Sequence, residues 1–216
     1  MPSHWPLFDL VVRTPRLELR LPRDDELEEL ARVAAGGVHD PGLMPFDIPW
    51  TDARSPELER AALQWWWSQR AAWTREAWTF TGGVFVDGVV VGVQDLGAHS
   101  FPALRSVFTG SWLGRAHQGR GLGREMRAAA LHLAFAGLGA REARSGAWHD
   151  NLASQGVSRA LGYVENGTEL RLRRGVPEQQ LRFLLSRDAW SAHRRDDIEL
   201  LGLESCLELF GAGASA

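Results

Sequence analysis

A glycine-rich stretch in the middle of the chain constrains the fold more than any other feature. It reads Gly-Ser-Trp-Leu-Gly-Arg-Ala-His-Gln-Gly-Arg-Gly-Leu-Gly-Arg over residues 110–124. A β-rich run precedes it, and an amphipathic helical pattern from Glu125 to Leu138 follows it. Glycines between a strand and a helix let consecutive N–H groups point at an anion, in the positive end of the helix dipole. The stretch therefore predicts a phosphate-binding loop.

Two common phosphate-binding loops do not fit this stretch. A P-loop needs Gly-Lys-Ser/Thr after its glycines, and the chain contains no lysine. A dinucleotide fingerprint that began at Gly119 would need glycine where Arg124 stands. Neither of these two classes of phosphate-binding loop matches the stretch.

The remaining segments predict one mixed α/β unit. Asp87-Gly88 between two β-rich runs predicts a tight hairpin, and strand–helix crossovers come later in the chain. Antiparallel strands followed by crossovers indicate a mixed sheet. The patterns predict strands over 10–21, 79–86, 89–96, 105–113, 142–148 and 181–186, and helices over 24–35, 56–73, 125–138 and 152–161.

Composition and motifs exclude several classes of function. A formal charge of -3 gives no global attraction to nucleic acid, and no apolar run approaches the roughly 20 residues that a membrane span needs. The start of the chain lacks the layout of a signal peptide, so we expect a cytoplasmic protein. Gly-x-Ser-x-Gly and His-Glu-x-x-His are absent, which argues against a serine hydrolase and a zinc protease, and we expect no metal.

Two motifs together resemble the GNAT superfamily of N-acyltransferases. Gln118-x-x-Gly121-x-Gly123 is similar to the pyrophosphate loop of that family, and 150–163 resembles its next motif, Asn-x-x-Ser followed by a short helix and Gly-Tyr. The resemblance extends from Thr14-Pro15-Arg16 to Trp190. Over this range the chain is similar to the branch of the family that contains the ribosomal-protein alanine acetyltransferases. Flanking residues 5–10 and 37–46 are also similar to a mycobacterial GNAT protein described as a succinyltransferase.

This resemblance implies an α/β (α+β) GNAT fold, whose mostly antiparallel central sheet is splayed at the cofactor site and flanked by helices. It implies a single domain over 1–195, with 196–216 as an extension packed on that domain or at a subunit interface of a homo-oligomer. The implied function is transfer of an acetyl group from acetyl-CoA to a primary amine of a protein N-terminus, a lysine or a small molecule. Transfer of a succinyl group from succinyl-CoA and non-catalytic, regulatory binding of coenzyme A remain as alternatives.

The resemblance also implies roles for individual residues. The Leu113 N–H is the expected oxyanion donor, and a hydroxyl of Ser154 or Ser158 could relay a proton to the leaving thiolate. Asp95, His99 and His117 are candidate bases, and His39, Arg105 or His99 could meet a succinyl carboxylate. The residues themselves, in a Pro-rich loop over 38–51 that carries apolar side chains and in the Trp-rich second helix, indicate four predicted substrate-binding residues: His39, Phe46, Trp50 and Trp66. Predicted cofactor-binding residues are Ser111, Trp112, Leu113, Gln118, Gly119, Arg120, Gly121, Leu122, Gly123, Arg124, Asn151 and Ser154.

We predict that Gly121→Val abolishes the binding of coenzyme A without unfolding the chain, because a side chain here would obstruct the backbone that wraps the diphosphate. Calorimetric titration with coenzyme A measures the affinity, and circular dichroism checks the fold. A dissociation constant equal to that of the wild type would contradict the assignment of the loop.

Overall fold

A computed structural model describes residues 4–213 of the chain. Within that range no helix is long and apolar enough to cross a membrane. The strands are β1 (Val11–Arg13), β2 (Glu18–Arg20), β3 (Ala77–Val86), β4 (Val89–His99), β5 (Ser106–Leu113), β6 (Glu142–Trp148), β7 (Val164–Arg173), β8 (Val176–Ser186) and β9 (Glu199–Leu201). The α-helices are α1 (Asp24–Ala35), α2 (Glu57–Ala71), α3 (Phe101–Leu104), α4 (Leu122–His132), α5 (Leu152–Ala160) and α6 (Arg187–Ser191).

The nine strands of the described residues form one mixed sheet in the order β7-β8-β6-β5-β4-β3-β2-β1-β9. All neighbours are antiparallel except β5 and β6, which are parallel. A parallel pair needs a crossover, and α4 supplies it with a π-helical turn at Leu133–Gly137. The predicted mixed α/β sheet with flanking helices is confirmed.

Helices cover both faces of the sheet. The apolar side chains of α4, among them Met126 and Leu131, pack in the larger core on one face. On the other face Leu27 and Leu30 of α1 meet Leu63 and Trp66 of α2 in a smaller cluster. These faces repeat at helical spacing in the sequence, which is why both helices were predictable.

The parallel pair β5 and β6 is short, and this positions the site. Only Ser106–Phe108 pairs with Glu142–Arg144. After Phe108 the two strands diverge, although β5 stays paired with β4 as far as Leu113. The sheet is therefore open between β5 and β6 over the last five residues of β5.

Two strand predictions were incomplete. The run over 10–21 forms two short antiparallel strands joined by a turn, in which the Thr14 amide donates to the Leu17 carbonyl and the Thr14 hydroxyl oxygen accepts from the Leu17 amide. The second omission is β7, which pairs with β8 through a hairpin at Arg174 and Gly175. Leu170 and Leu172 alternate with Glu169, Arg171 and Arg173, so the sequence did contain a strand signal in this segment. The Asp87-Gly88 hairpin is confirmed, with positive φ at both residues.

The residues after 195 pack onto the rest of the chain. Strand β9 pairs antiparallel with β1. Cys206 and Phe210 are fully buried, and Phe210 contacts Trp78 with ring centroids 4.8 Å apart. Residues 214–216 of the predicted extension lie outside the described residues.

Candidate functional site

A cavity of about 1240 Å³ opens where β5 and β6 diverge. Its walls come from β4, β5, β6 and the β7–β8 hairpin, from α2, from the first turns of α4 and α5, and from the loop that follows α1. It passes through the plane of the sheet, since its lining includes Met126 of α4 on one face and Trp65 of α2 on the other. Two molecules can thus reach a common point from opposite faces.

Main-chain amides of β5 face the gap between the strands. The Gly114 N–H donates to the Val91 carbonyl at 2.9 Å, so alternate amides of β5 point toward β4. The pleat then turns the amides of Ser111 and Leu113 toward β6, which does not pair with them. These N–H groups can bind an extended molecule that inserts like an additional strand.

The glycine-rich loop bends into α4 at residues that need positive φ. Gly119 and Gly121 have φ of +72° and +78°, a region that L side chains rarely adopt. Gly121 is the N-cap of α4, and no side chain caps the first turn. The amides at the start of α4 are therefore available to an anion, in a stretch that also contains the exposed residues Arg120 and Arg124.

A buried carboxylate holds this loop against the N-terminal segment. Glu125 accepts a hydrogen bond from the Thr14 hydroxyl at 2.6 Å and forms an ion pair with Arg16. Arg16 also donates to the Arg120 carbonyl at 3.0 Å. Burial acts to raise the pKa of Glu125, but these bonds outweigh it and lower the pKa. The Thr14-Pro15-Arg16 motif thus fixes the position of the loop.

Asp95 is the titratable group best placed for proton transfer. It lies on the cavity wall, and its Oδ1 atom is buried without a hydrogen-bond partner in the described chain. Burial raises the pKa of Asp95 to about 7. A carboxylate with that pKa accepts a proton readily near neutral pH.

Arg127 is a buried cation beneath the gap and was not predicted from the sequence. It is 3% exposed and also lines the cavity. Its partners within residues 4–213 are neutral: the guanidinium donates to Ser111 Oγ on β5 at 2.9 Å, Ser145 Oγ on β6 at 3.2 Å and Gln94 Oε1 on β4 at 3.3 Å, and it also interacts with the Tyr163 hydroxyl. Burial lowers the pKa of Arg127. The sequence does contain a signal, since an arginine interrupts the otherwise apolar face of α4.

The loop over 38–53 covers one side of the cavity and is tied to the β7–β8 hairpin. Arg173 Nε donates to the Met44 carbonyl at 2.8 Å, and Gln180 Nε2 donates to Asp47 Oδ1 at 2.6 Å. Arg174 forms an ion pair with Asp52 at 2.6 Å. These contacts bring together segments more than 120 residues apart in the sequence.

The structure gathers most of the predicted site residues around this cavity. Those that line it are His39, Phe46, Asp95, His99, Ser111, Trp112, Leu113, Gln118, Gly123, Asn151 and Ser154. Trp50 lies behind the wall, with ring centroids 5.8 Å from Trp112. Gly119, Arg120, Gly121, Leu122 and Arg124 form the loop at its edge.

Other predicted residues lie away from the wall. Trp66 is buried between α1, α2 and the sheet, while its neighbour Trp65 lines the cavity. Ser158 is fully buried, and its hydroxyl has no partner among the described residues. Arg105 donates to the Leu138 carbonyl and His117 lies in the turn before the loop; neither lines the cavity.

Two predicted contacts have structural roles in the chain itself. The side-chain amide of Gln118 donates to the carbonyls of Val38 and Leu113, at 2.6 and 2.8 Å, and so braces the end of β5. Asn151 Oδ1 accepts from the Ser154 amide, which makes Asn151 the N-cap of α5. No group of three or more metal-binding side chains is assembled within residues 4–213.

The acetyltransferase (GNAT) domain is the family whose model matches this chain, over residues 16–164. Similar solved structures include RimL, a ribosomal L7/L12 α-N-protein acetyltransferase in complex with coenzyme A. It is 18% identical, with 83% of this chain and 99% of that chain covered and a TM-score of 0.65.

Two further solved structures share the fold. RimJ of Mycobacterium smegmatis, in complex with a disulfide of coenzyme A, is 17% identical, with 90% of this chain and 98% of that chain covered and a TM-score of 0.65. A GCN5-related N-acetyltransferase of Brucella melitensis is 19% identical, with 85% and 81% covered and a TM-score of 0.65.

We predict that Asp95→Asn raises the Tm above that of the wild type at pH 8, and that this difference shrinks toward pH 4. The folded protein holds the proton of Asp95 up to about pH 7, whereas an unfolded aspartate releases it near pH 4. Stability from this group therefore falls as the pH rises through that window, and the amide abolishes the effect. Asp87→Asn, in the exposed turn of the same hairpin, is the matched control, and a pH-independent difference for Asp95→Asn would contradict the assignment.

Proposed function

Since the chain belongs to the GNAT acetyltransferase family, we propose that it is an acyl-CoA-dependent N-acyltransferase that moves an acetyl group from acetyl-CoA to a primary amine. The observation that carries this proposal is the gap between β5 and β6. Unpaired amides of β5 line one side of it, the glycine-rich loop lies at one end, and Asp95 lines the cavity into which it opens. These are the parts that direct transfer from a thioester requires.

The loop and the gap would hold the donor. Amides at the start of α4 bind the diphosphate, and the amides of Ser111 and Leu113 bind the pantetheine arm as a strand would. The Leu113 N–H is the proposed oxyanion donor, because it is the last amide of β5 that faces the gap. Gln118 supports this geometry by holding the Leu113 carbonyl.

The reaction proceeds by direct attack of the amine nitrogen on the thioester carbonyl carbon. The C–N bond forms, the C–S bond breaks, and the amine proton passes to Asp95, directly or through water. Coenzyme A leaves as a thiolate or, after protonation, as a thiol. Of the two proposed hydroxyl relays Ser154 lines the cavity and Ser158 does not, but a thiol with a pKa of about 8.5 can leave without an acid.

The acceptor reaches Asp95 from the α2 face of the sheet. That part of the cavity is lined by His39, Phe46, Trp65, His99 and Phe108. An α-amino group, with a pKa near 8, is already partly neutral and needs less from the base than a lysine side chain with a pKa near 10.4. A protein N-terminus, which is the substrate type of RimL, is therefore the first acceptor to test, followed by lysine and small-molecule amines.

Arg127 supports a second candidate, a donor whose acyl group ends in a carboxylate, such as succinyl-CoA. A buried guanidinium with only neutral partners remains a stronger binding site for an anion than one that is already ion-paired. It lies where β5 and β6 separate, next to the proposed path of the pantetheine arm. His39 and His99, two of the other residues expected to meet such a carboxylate, lie elsewhere on the same wall.

The proposed reaction is tested by release of free thiol from acetyl-CoA with a panel of N-terminal peptides, lysine peptides and small amines. We predict that kcat/KM for an α-amino acceptor rises with pH in two steps, one near 7 where Asp95 loses its proton and one near 8 where the amine does, and that Asp95→Asn removes the first step only. Asp87→Asn is the matched control. Binding of coenzyme A without turnover of any amine would favour the non-catalytic alternative instead.

The donor is tested by comparing acetyl-CoA with succinyl-CoA. If Arg127 binds the terminal carboxylate, Arg127→Gln lowers kcat/KM for succinyl-CoA roughly 10- to 100-fold more than for acetyl-CoA, as expected for loss of a charge-assisted hydrogen bond. Arg127→Lys keeps the charge and should retain more of the preference. An equal loss of kcat/KM with both donors would mean that Arg127 only holds β5 and β6 in place and does not bind the carboxylate.

A further inference from the structure

Strand β7 is a long, uncovered edge of the sheet. It is the first strand in the sheet order, and nine of its ten residues are exposed. Leu170 and Leu172 are 64% and 61% exposed on one face of it. The opposite edge is the three-residue strand β9. A long edge strand with exposed apolar side chains readily pairs with another chain.

The hairpin geometry shows which main-chain groups of β7 are free to pair. Arg174 and Gly175, both with positive φ, form a two-residue turn, so Arg173 and Val176 exchange hydrogen bonds. Alternation along the strand then directs the main-chain groups of Arg171 and Glu169 toward β8 as well. Pro177, which has no N–H, lies opposite Leu172 in agreement with this pattern.

The outward-facing groups therefore belong to Thr168, Leu170 and Leu172. Their main-chain N–H and C=O groups point away from β8, where the sheet contains no further strand of the described chain. They form a regular row of donors and acceptors. A second extended strand can satisfy all three residues.

We propose that β7 pairs antiparallel with β7 of a second copy of this chain, about a two-fold axis at Leu170. This register places Glu169 of each copy opposite Arg171 of the other, and Leu170 opposite Leu170. The charge pattern of the strand is therefore complementary to itself, as a two-fold interface requires.

Neighbouring registers are less favourable. An axis at Glu169 would set two glutamates opposite each other, and an axis at Arg171 would set two arginines opposite each other. An axis at Leu172 would place Arg171 opposite Arg173. An axis at Thr168 would extend the pairing into 165–168, where the strand departs from regular register.

Glu169 is available for this contact. Its contacts with Arg171 and Arg182 in the same chain are both at 4.0 Å, the outer limit for an ion pair. Arg171 already forms an ion pair with Asp47 through Nη2 at 3.0 Å, so it would meet Glu169 of the second copy with its remaining guanidinium N–H groups. Glu169 and Arg171 also line the cavity. The second copy would consequently extend the wall of the site at its β7 rim. The proposal does not depend on the reaction assigned above, because it rests on the edge strand alone.

The test is the mass of the full chain in solution, measured by sedimentation velocity and light scattering over a range of concentrations. The wild type is expected at about twice the protomer mass of 24.0 kDa, or at an even multiple of it. Leu170→Lys should halve that mass. Val89→Lys, at an exposed apolar residue in another hairpin, is the matched control and should leave it unchanged.

Charge reversal tests the register. Glu169→Arg and Arg171→Glu should each weaken the assembly, because each sets like charges opposite one another. The double variant E169R/R171E should restore it. A monomeric wild type, or an assembly that Leu170→Lys leaves intact, would overturn the proposal, and an assembly that Glu169→Arg leaves intact would overturn the register. Circular dichroism confirms that each variant is folded.

Discussion

Main-chain amides lose their partners where two neighbouring strands stop pairing. In this protein that happens between β5 and β6. Strand β5 keeps its pairing with β4 on one side, so it remains straight and well positioned while its other side is open. Every other element of the site is arranged around this gap. Helix α4 begins at one end of it, the hairpin β7–β8 borders it beyond β6, and Arg127 bridges the two strands from below.

The strands on either side of the gap are held in position by hydrogen bonds from polar side chains. Arg127 joins β4, β5 and β6 through Gln94, Ser111 and Ser145 at the level where the strands separate. Gln118 holds the end of β5 against the loop after α1. At the start of α4, Glu125 links the glycine-rich loop to Thr14 and Arg16. Buried polar networks of this kind specify a single geometry when all their members are satisfied.

Much of this arrangement could be predicted because it depends on short stretches of sequence, such as turns and the starts of helices. The loop over 110–124 combines glycines that need positive φ with the start of a helix, and Asp87-Gly88 specifies its hairpin by turn geometry alone. Contacts over long sequence distances could not be predicted in the same way. Ser158 was predicted from its motif position as a proton relay, and its burial, with no partner for its hydroxyl among the described residues, could be known only from the packed structure. Trp65 and Trp66 are adjacent in sequence, and only packing decides which of them faces the cavity.

The bonds that join the loop over 38–53 to the β7–β8 hairpin link two distant segments that border the cavity. Met44, Asp47 and Asp52 each contact a side chain of the hairpin. A movement of the loop that widened the cavity would therefore have to break these contacts or carry the hairpin with it.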